Sequence, residues 1–516
     1  MPRQPLLLAT VCLAALTINL DTTIVNVALP SLATELDADT RELLWIVDGY
    51  NLAFAALVLA MGSVSDRFGR RPSLLVGLAG FGLASGAAAL VDSSAALIAL
   101  RFVMGVCAAL IFPTTLSIIA NAFTERRERA AALGVWGAAV GLGVALGPVT
   151  GGWLLEHFTW HAVFWALLPV AALAIAMTLA FVPESRDPDV PPLDRAGLVV
   201  SVAALGLLTW TIIEAPEHGW ASATTLAGFA VAAALVVVFV VLERRVAHPM
   251  LDVTLFADRR FSAAAGAVTV VFFALFGFIF LITQYFQFAR DYSPLGTGLR
   301  ILPVATCIAI ASVVGGLLAP RLGTRTVVVT GLALLGTSFL WISTLELDAS
   351  YAQVIVPQMV LMGLGLGLVS TPATESILQV LPPARAGVGS AVNDATRELG
   401  GTLGVAVVGS LFSSLYADRL AELLDGRLDP ATLAEAEDSV GVTAAIAAGS
   451  PAVADALGDA FMVGLSAACV VIGVLCLAAA LAGLVALPGR VRAPQGRPDP
   501  APGSGSGGVE SGELVG

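Results

Sequence analysis

Long apolar stretches separated by short polar breaks fill most of the chain. A helix of about 20 residues crosses a bilayer, and the apolar runs between charged breaks predict fourteen such helices. The predicted spans lie near 6–29, 43–63, 72–91, 95–118, 130–154, 162–182, 196–213, 223–242, 262–286, 297–318, 325–344, 352–373, 388–412 and 460–487. The runs are continuous and not alternating, which excludes a transmembrane β-barrel. The pattern therefore predicts an all-α polytopic membrane protein.

Composition and charge support this prediction. Of the 516 residues, 57% are hydrophobic and 12% are charged, about half of the roughly 25% charged residues of a soluble domain. The net charge of −12 and the lack of a long basic run argue against nucleic-acid binding. The first apolar stretch is longer than the core of a signal peptide and contains Asp21, so we expect a mature helix.

Residue types that carry catalytic chemistry are scarce. The five cysteines fall inside apolar segments without metal-binding spacing, and the four histidines lie at segment ends or in loops. The sequence contains no GxxxxGK[ST] nucleotide loop and no Ser-His-Asp set. We therefore predict a protein that is not an enzyme, has no metal or cofactor, and takes energy from an ion gradient and not from ATP.

Arginine placement predicts the orientation. All 26 basic residues are arginine, and a cytoplasmic N-terminus puts most of them in cytoplasmic loops and tails, as the positive-inside rule requires. Both termini are then cytoplasmic, and the predicted location is the cytoplasmic membrane.

An internal repeat divides the chain into two halves. The loop Gly62–Arg71 joins spans two and three, and the similar segment Gly316–Arg325 joins spans ten and eleven. Arg-Ala pairs at 129–130 and 385–386 open spans five and thirteen, and glycine-rich stretches follow both. Spans one to six thus correspond to spans nine to fourteen, with seven and eight inserted. Many secondary transporters are built from two such halves around a central site.

Four regions follow from this repeat. They are an N-terminal six-helix bundle (1–182), two inserted transmembrane helices with a cytoplasmic linker (183–257), a C-terminal six-helix bundle (258–487), and a cytoplasmic tail (488–516) that its Pro/Gly/Ser content predicts to be disordered. The C-terminal bundle includes an acidic external loop at 417–459, in which Asp429-Pro430 predicts a helix start. This loop is either a solvated linker or a cap that concentrates cations.

Four sequence blocks lie in order on the predicted spans. They are Leu20–Pro30, with the sequence LDTTIVNVALP; the Gly62–Arg71 loop; Leu100-Arg101-Phe102 through Gly105; and Gly143–Gly152. Together they resemble the major facilitator superfamily, specifically its fourteen-helix drug:proton antiporters of the EmrB/QacA type, over residues 5–487. The resemblance implies a major facilitator fold of two six-helix bundles plus two inserted transmembrane helices.

The Gly62–Arg71 loop has two interpretations. The resemblance implies a conformational latch that helps to hold one alternating-access state. Its residues are Gly62, Asp66, Arg67, Gly69, Arg70 and Arg71. The alternative is a purely topological arginine cluster, but Asp66 has no role in topology.

The glycine motif of span five also has two interpretations. Gly143, Gly147 and Gly151 repeat every fourth residue on one helix face, Pro148 permits a kink, and Gly152 completes the motif. The spacing alone is typical of close helix packing, whereas the GPxxGG context resembles the antiporter motif and favours an exporter.

Ionisable residues inside predicted spans are costly, and they are therefore candidate proton-coupling or substrate-binding residues. One group is Asp21, Asp48 and Arg101. The second group is Asp394, Arg397 and Glu398, in which the two acids lie four residues apart and share a helix face. An interfacial carboxylate at Asp48, and a structural pair of Arg397 with its acidic neighbours, are the alternatives.

These features predict a proton-coupled antiporter that exports lipophilic, cationic drugs. We expect the carboxylates of both groups to face one central cavity. An exporter dedicated to one endogenous metabolite, antibiotic or lipid is the alternative within transport, and a non-transporting membrane receptor is a third possibility. The expected partners are a small lipophilic substrate, protons and membrane lipid, with no obligatory protein partner.

Overall fold

Sixteen α-helices make up the part of the chain that the computed structural model describes, residues 4–186, 194–379 and 386–487. The N-terminal half and the insertion contain α1 (Gln4–Glu35), α2 (Thr40–Phe68), α3 (Arg70–Ala88), α4 (Ser94–Ala122), α5 (Arg126–His157), α6 (His161–Phe181), α7 (Arg195–His218) and α8 (Ala223–Glu243). The C-terminal half contains α9 (Arg259–Gln284), α10 (Pro294–Leu322), α11 (Thr324–Ile342), α12 (Val356–Gln379), α13 (Ala386–Leu424), α14 (Pro430–Asp438), α15 (Val440–Ala447) and α16 (Pro451–Ala486). The predicted tail, 488–516, lies outside the described residues.

Thirteen of the described helices are long and apolar enough to cross a membrane. The predicted third span is α3, a helix of 19 residues that begins with Arg70 and Arg71 and packs between α4 and α6. The all-α polytopic prediction is confirmed, and the predicted number of fourteen spans is consistent with this structure.

The packing repeats between the halves. In the N-terminal half, α2 packs on α4, α1 on α5, and α3 on α4 and α6. The same pairs recur as α10 on α12, α9 on α13, and α11 on α12 and α16. The glycines of the repeated loop agree: Gly69 and Gly323 both join two helices with positive φ, 111° and 90°. Both positions favour glycine because L-residues with a side chain rarely adopt this conformation.

The inserted hairpin lies beside this two-fold arrangement. Helix α7 packs on α2 and α13, whereas α8 packs mainly on α7. Much of the surface of α8 is exposed and apolar, as expected for a helix that faces lipid. Its exposed valines are Val231, Val236, Val237, Val238 and Val241.

The two ends of the bundle differ in charge. The arginine-rich end carries the 66–71 and 321–325 loops, and the acidic end carries α14 and α15. The described side chains join the two halves at the acidic end. There Thr40 Oγ1 donates to Asp438 O at 3.0 Å, and Gln287 Nε2 donates to Val27 O at 3.1 Å. The structure is therefore closed at the acidic end.

The acidic loop is shorter than the predicted 417–459, and it contains the short helices α14 and α15. Helix α13 continues to Leu424 and α16 begins at Pro451. Asp429 caps α14, which confirms the predicted helix start. Thr443 of α15 is fully buried and accepts a hydrogen bond from Tyr416 at 2.7 Å. Helix α15 therefore packs into the protein, whereas most of α14 is exposed. The choice between a solvated linker and a cap that concentrates cations stays a prediction.

Candidate functional site

A cavity between the two halves has a mixed acidic and aromatic lining. Helices α1, α2, α4, α5, α9 and α13 contribute to it. The lining residues are Asn19, Thr22, Thr23, Phe54, Phe112, Val144, Phe272, Leu275, Phe276, Ile279, Asp394, Arg397 and Glu398. The cavity volume is about 30 Å³, far below the roughly 300–1,000 Å³ of a pocket for a drug-sized ligand. Binding of a drug-sized molecule therefore requires the halves to move apart.

The acidic part of the lining comes from one face of α13. Asp394 is buried, and Glu398 lies one turn further along the helix and is partly accessible to the cavity. Asn393 Nδ2 donates to Asp394 Oδ1 at 3.5 Å, and Asn393 Oδ1 accepts from Thr374 Oγ1 at 3.0 Å. Both carboxyl groups line the cavity together with residues of the N-terminal half, so they lie at the boundary of the two halves.

Arg397 does not neutralise these acids by direct contact. Among the described residues it makes no ion pair within 4.0 Å, and its guanidinium lies over the Phe272 ring, 4.4 Å from the centroid. A cation that already rests on an aromatic face leaves the carboxyl groups of Asp394 and Glu398 available to protons or to a cationic ligand. The alternative of a self-contained structural pair is thus not supported by the geometry.

Asp21 and Arg101 form a fully buried ion pair behind the cavity. Arg101 Nη1 lies 2.6 Å from Asp21 Oδ2, and the side chains are 1% and 0% exposed. Arg101 also donates from Nε to Ile46 O at 3.0 Å and lies over the Tyr50 ring, 4.4 Å from its centroid. This pair joins α1, α2 and α4 within the N-terminal half.

Asp48 is buried beside the Asn51 amide, three residues further along α2, and neither carboxyl oxygen makes a hydrogen bond of standard geometry with a described residue. Neither residue lines the cavity. The expectation that all four carboxyl groups face one cavity is therefore wrong for Asp21 and Asp48. Helix packing turns both of these side chains away from the cavity, while Thr22 and Thr23 of α1 face it.

The predicted latch is folded against its own half. Arg70 Nε donates to Asp66 Oδ1 at 2.8 Å, and Arg71 donates to Leu179 O at 2.7 Å. The backbone N–H of Arg70 donates to Ser185 O at 2.9 Å. Gly62 packs near Pro113 of α4. The described contacts of the loop thus fix the α2–α3 turn to the end of α6, and its role in alternating access stays a prediction.

The glycine motif lies at two interfaces. Added Cβ atoms at Gly143, Gly147 and Gly151 would collide with α1, so this face provides close packing within the half. Gly152 differs, because its Cβ would lie 2.6 Å from Leu295 Cα in the other half. Pro148 likewise lies against Gly298 of α10. The GPxxG end of the motif therefore brings α5 and α10 together at the acidic end.

Replacement of Gly152 by alanine is expected to impair closure of the acidic end. Overpacking costs about 1–3 kcal/mol, which shifts a two-state equilibrium about 5- to 150-fold. Transport assays and distances between spin labels on α5 and α10 would measure this shift. Gly141→Ala is the matched control, because nothing lies within 4 Å of its added Cβ. Equal behaviour of the two variants would contradict the assignment.

The aromatic lining of the cavity is not among the residues predicted from the sequence. Phe272 and Phe276 lie one turn apart on α9, and Phe54 and Phe112 face them from the N-terminal half. Phenylalanines in an apolar span are equally compatible with lipid contact, so only their four-residue spacing could have indicated a shared face.

One group of three possible metal ligands occurs among the described residues: Glu214, Glu217 and His218, at the acidic end of α7. Arg41 already pairs with both glutamates, with its Nη1 3.2 Å from Glu214 Oε2. The ion pairs with Arg41 therefore explain why these three side chains lie together, and no metal ion is needed to account for the group.

Two repeated six-helix bundles around a central cavity with buried carboxyl groups define a membrane transporter. The family model described as Major Facilitator Superfamily matches residues 11–405, and the chain belongs to that family. The multidrug efflux pump LfrA of Mycolicibacterium smegmatis is 37% identical over 92% of this chain and 94% of its own length. The tetracenomycin C resistance and export protein of Streptomyces glaucescens is 32% identical over 98% and 95%.

The fold comparison agrees. A crystal structure of a bacterial homolog of the human lysosomal transporter Spinster, in an inward-facing and unoccupied conformation, matches with a TM-score of 0.64. It covers 94% of this chain and 97% of that chain at 16% identity. The predicted family and fold are both confirmed.

Proposed function

We propose that the protein is a proton-coupled antiporter that exports lipophilic cations across the cytoplasmic membrane. The observation that supports this most directly is the lining of the central cavity. It places the carboxyl groups of Asp394 and Glu398 beside a group of phenylalanines, between the two halves. Carboxylates attract a cation, and aromatic faces accept both its charge and its apolar surface.

Proton exchange at Asp394 and Glu398 would couple the two fluxes. Protons taken up from outside neutralise the carboxyl groups and release the cation. The protonated transporter then returns to the inward-facing state and releases the protons into the cytoplasm. Arg397 keeps its place on Phe272 during this exchange. Asp21, Asp48 and Arg101, behind the cavity, are proposed to transmit or share the protonation change.

The orientation follows from the arginines. With the arginine-rich end in the cytoplasm, the closed acidic end is external, and the described structure is closed to the outside. The first described residue of α1 and the last of α16 then both lie on the cytoplasmic side. The 62–71 loop is proposed to act as the latch of the opposite state.

A second candidate function is export of a single antibiotic or endogenous metabolite. The similarity to the tetracenomycin C resistance and export protein, which covers 98% of the chain, favours it. The cavity does not distinguish the two, because its aromatic lining suits uncharged aromatic compounds and lipophilic cations alike.

Transport of ethidium into or out of proteoliposomes under an imposed pH gradient tests the first proposal. We expect movement that stops when a protonophore removes the gradient. Protein-free vesicles are the control. Gradient-driven movement of tetracenomycin C without movement of ethidium would favour the second candidate, and no movement of either compound would contradict both.

A further inference from the structure

Two buried carboxyl groups meet where α7 begins and α8 ends, far along the chain from the central cavity residues. Asp194 caps α7, and its Oδ1 accepts from Gly197 N at 2.9 Å. Glu243 is the last residue of α8, and its Oε2 accepts from Leu251 N at 3.0 Å. The two residues are 9% and 3% exposed.

The second oxygen of each carboxyl group faces the other. Asp194 Oδ2 and Glu243 Oε1 have no hydrogen-bond partner in the described part of the chain. Both lie within 2.5 Å of the point where a Cβ atom on Gly197 would be. Glycine at 197 therefore leaves room for the two oxygens to approach each other, and any side chain there would separate them.

Two facing carboxylates in a buried site repel each other unless a cation neutralises one of them. No described residue forms an ion pair with either group within 4.0 Å. On the adjoining segments Asp252 is half-buried and accepts from Thr254 N. The other described charged or titratable side chains there are all exposed, namely Arg195, Arg244, Arg245, His248, Asp258, Arg259 and Arg260.

We propose that Asp194 and Glu243 share one proton, so that the O–H of one carboxyl group donates to the facing oxygen of the other. A divalent metal ion suits the site less well, because Mg²⁺ and Ca²⁺ require about six or more oxygen ligands and two free carboxyl oxygens face each other here. Release of the proton to solvent leaves two opposed negative charges, and the pair separates.

The consequence is a pH-controlled contact between Glu243 and the linker that joins the inserted hairpin to the C-terminal half. We call this contact the clasp. Glu243 holds the backbone N–H of Leu251, and residues 244–258 connect the inserted hairpin to α9. When Asp194 and Glu243 share the proton, the linker is hydrogen-bonded to the hairpin at the arginine-rich end. Deprotonation frees Glu243 to turn towards solvent and releases the linker. This site is separate from proton exchange in the central cavity.

Hydrogen-exchange mass spectrometry on the full chain in lipid nanodiscs tests the clasp. In the wild type, protection of the peptide that contains Leu251, corrected for intrinsic exchange, should fall between about pH 5 and about pH 9, the range in which buried carboxyl groups titrate. The fall should approach roughly tenfold per pH unit above the midpoint of the pair. Glu243→Gln and Asp194→Asn should keep the protection at every pH, since each amide donates permanently to the facing oxygen.

Glu217→Gln is the matched control, because it changes an exposed acid at the other end of the same hairpin, and its profile should follow the wild type. Protection of the wild type that is independent of pH would overturn the proposal. A loss of protection on addition of EDTA would also overturn it, since a metal ion would then hold the pair. The assay measures no transport, so its result is independent of the proposed antiport.

Discussion

Replacement of Glu398 by glutamine is expected to abolish the dependence of transport on a proton gradient. Glutamine has nearly the same shape but cannot bind and release a proton. Glu398 lines the cavity between the halves, so a change in its charge acts on residues of both halves. In proteoliposomes, the ratio of transport rates with and without a pH gradient should fall to about one, while exchange of labelled for unlabelled substrate continues.

Two further variants make this result specific. Glu156→Gln removes an exposed carboxyl group on α5, and its gradient dependence should match the wild type. Asp394→Asn tests the other acid of the same helix face. If Asp394→Asn alone loses gradient dependence, the coupling group is Asp394. If both cavity variants keep it, the proposed coupling site is wrong.

The sequence predicts the fold well because the fold depends on patterns that act locally. Apolar length locates the helices, since a membrane span must satisfy its own backbone hydrogen bonds. The glycines of the repeated loop, Gly69 and Gly323, occur at equivalent helix junctions in both halves. The four-residue spacing of Gly143, Gly147 and Gly151 likewise predicts a close helix contact, and the structure supplies α1 as the partner.

The candidate site is less predictable because side-chain direction depends on packing between distant helices. The sequence places both Asp21 and Glu398 inside spans, yet Asp21 faces Arg101 of α4 and Glu398 faces the cavity. Helices that are apolar on all sides give no periodic signal for the cavity face. The predicted end of α13 is wrong for a related reason. The helix continues beyond the predicted span because Tyr416 and Leu420 are buried, although the segment contains charged residues.

Removal of one partner of the Asp21–Arg101 pair is expected to destabilise the N-terminal half strongly. Breaking a buried ion pair costs about 3–5 kcal/mol, because the remaining charge is left without a partner. Arg101→Leu leaves Asp21, whose Oδ1 already lacks a hydrogen-bond partner among the described residues. Asp21→Asn leaves the guanidinium with Ile46 O and the Tyr50 ring. Unfolding in detergent, followed by tryptophan fluorescence, measures both losses.

The double variant Asp21→Leu with Arg101→Met distinguishes a structural role from proton coupling. Apolar side chains of similar volume replace a buried pair at little cost or with a gain, so stability should return. Arg419→Gln is the control, since its ion pairs with Glu422 and Asp459 are exposed and should contribute little. Single variants as stable as Arg419→Gln would contradict the structural role. If the stable double variant has also lost gradient-driven transport, then the pair takes part in coupling; if it transports normally, then the pair serves only to join α1, α2 and α4.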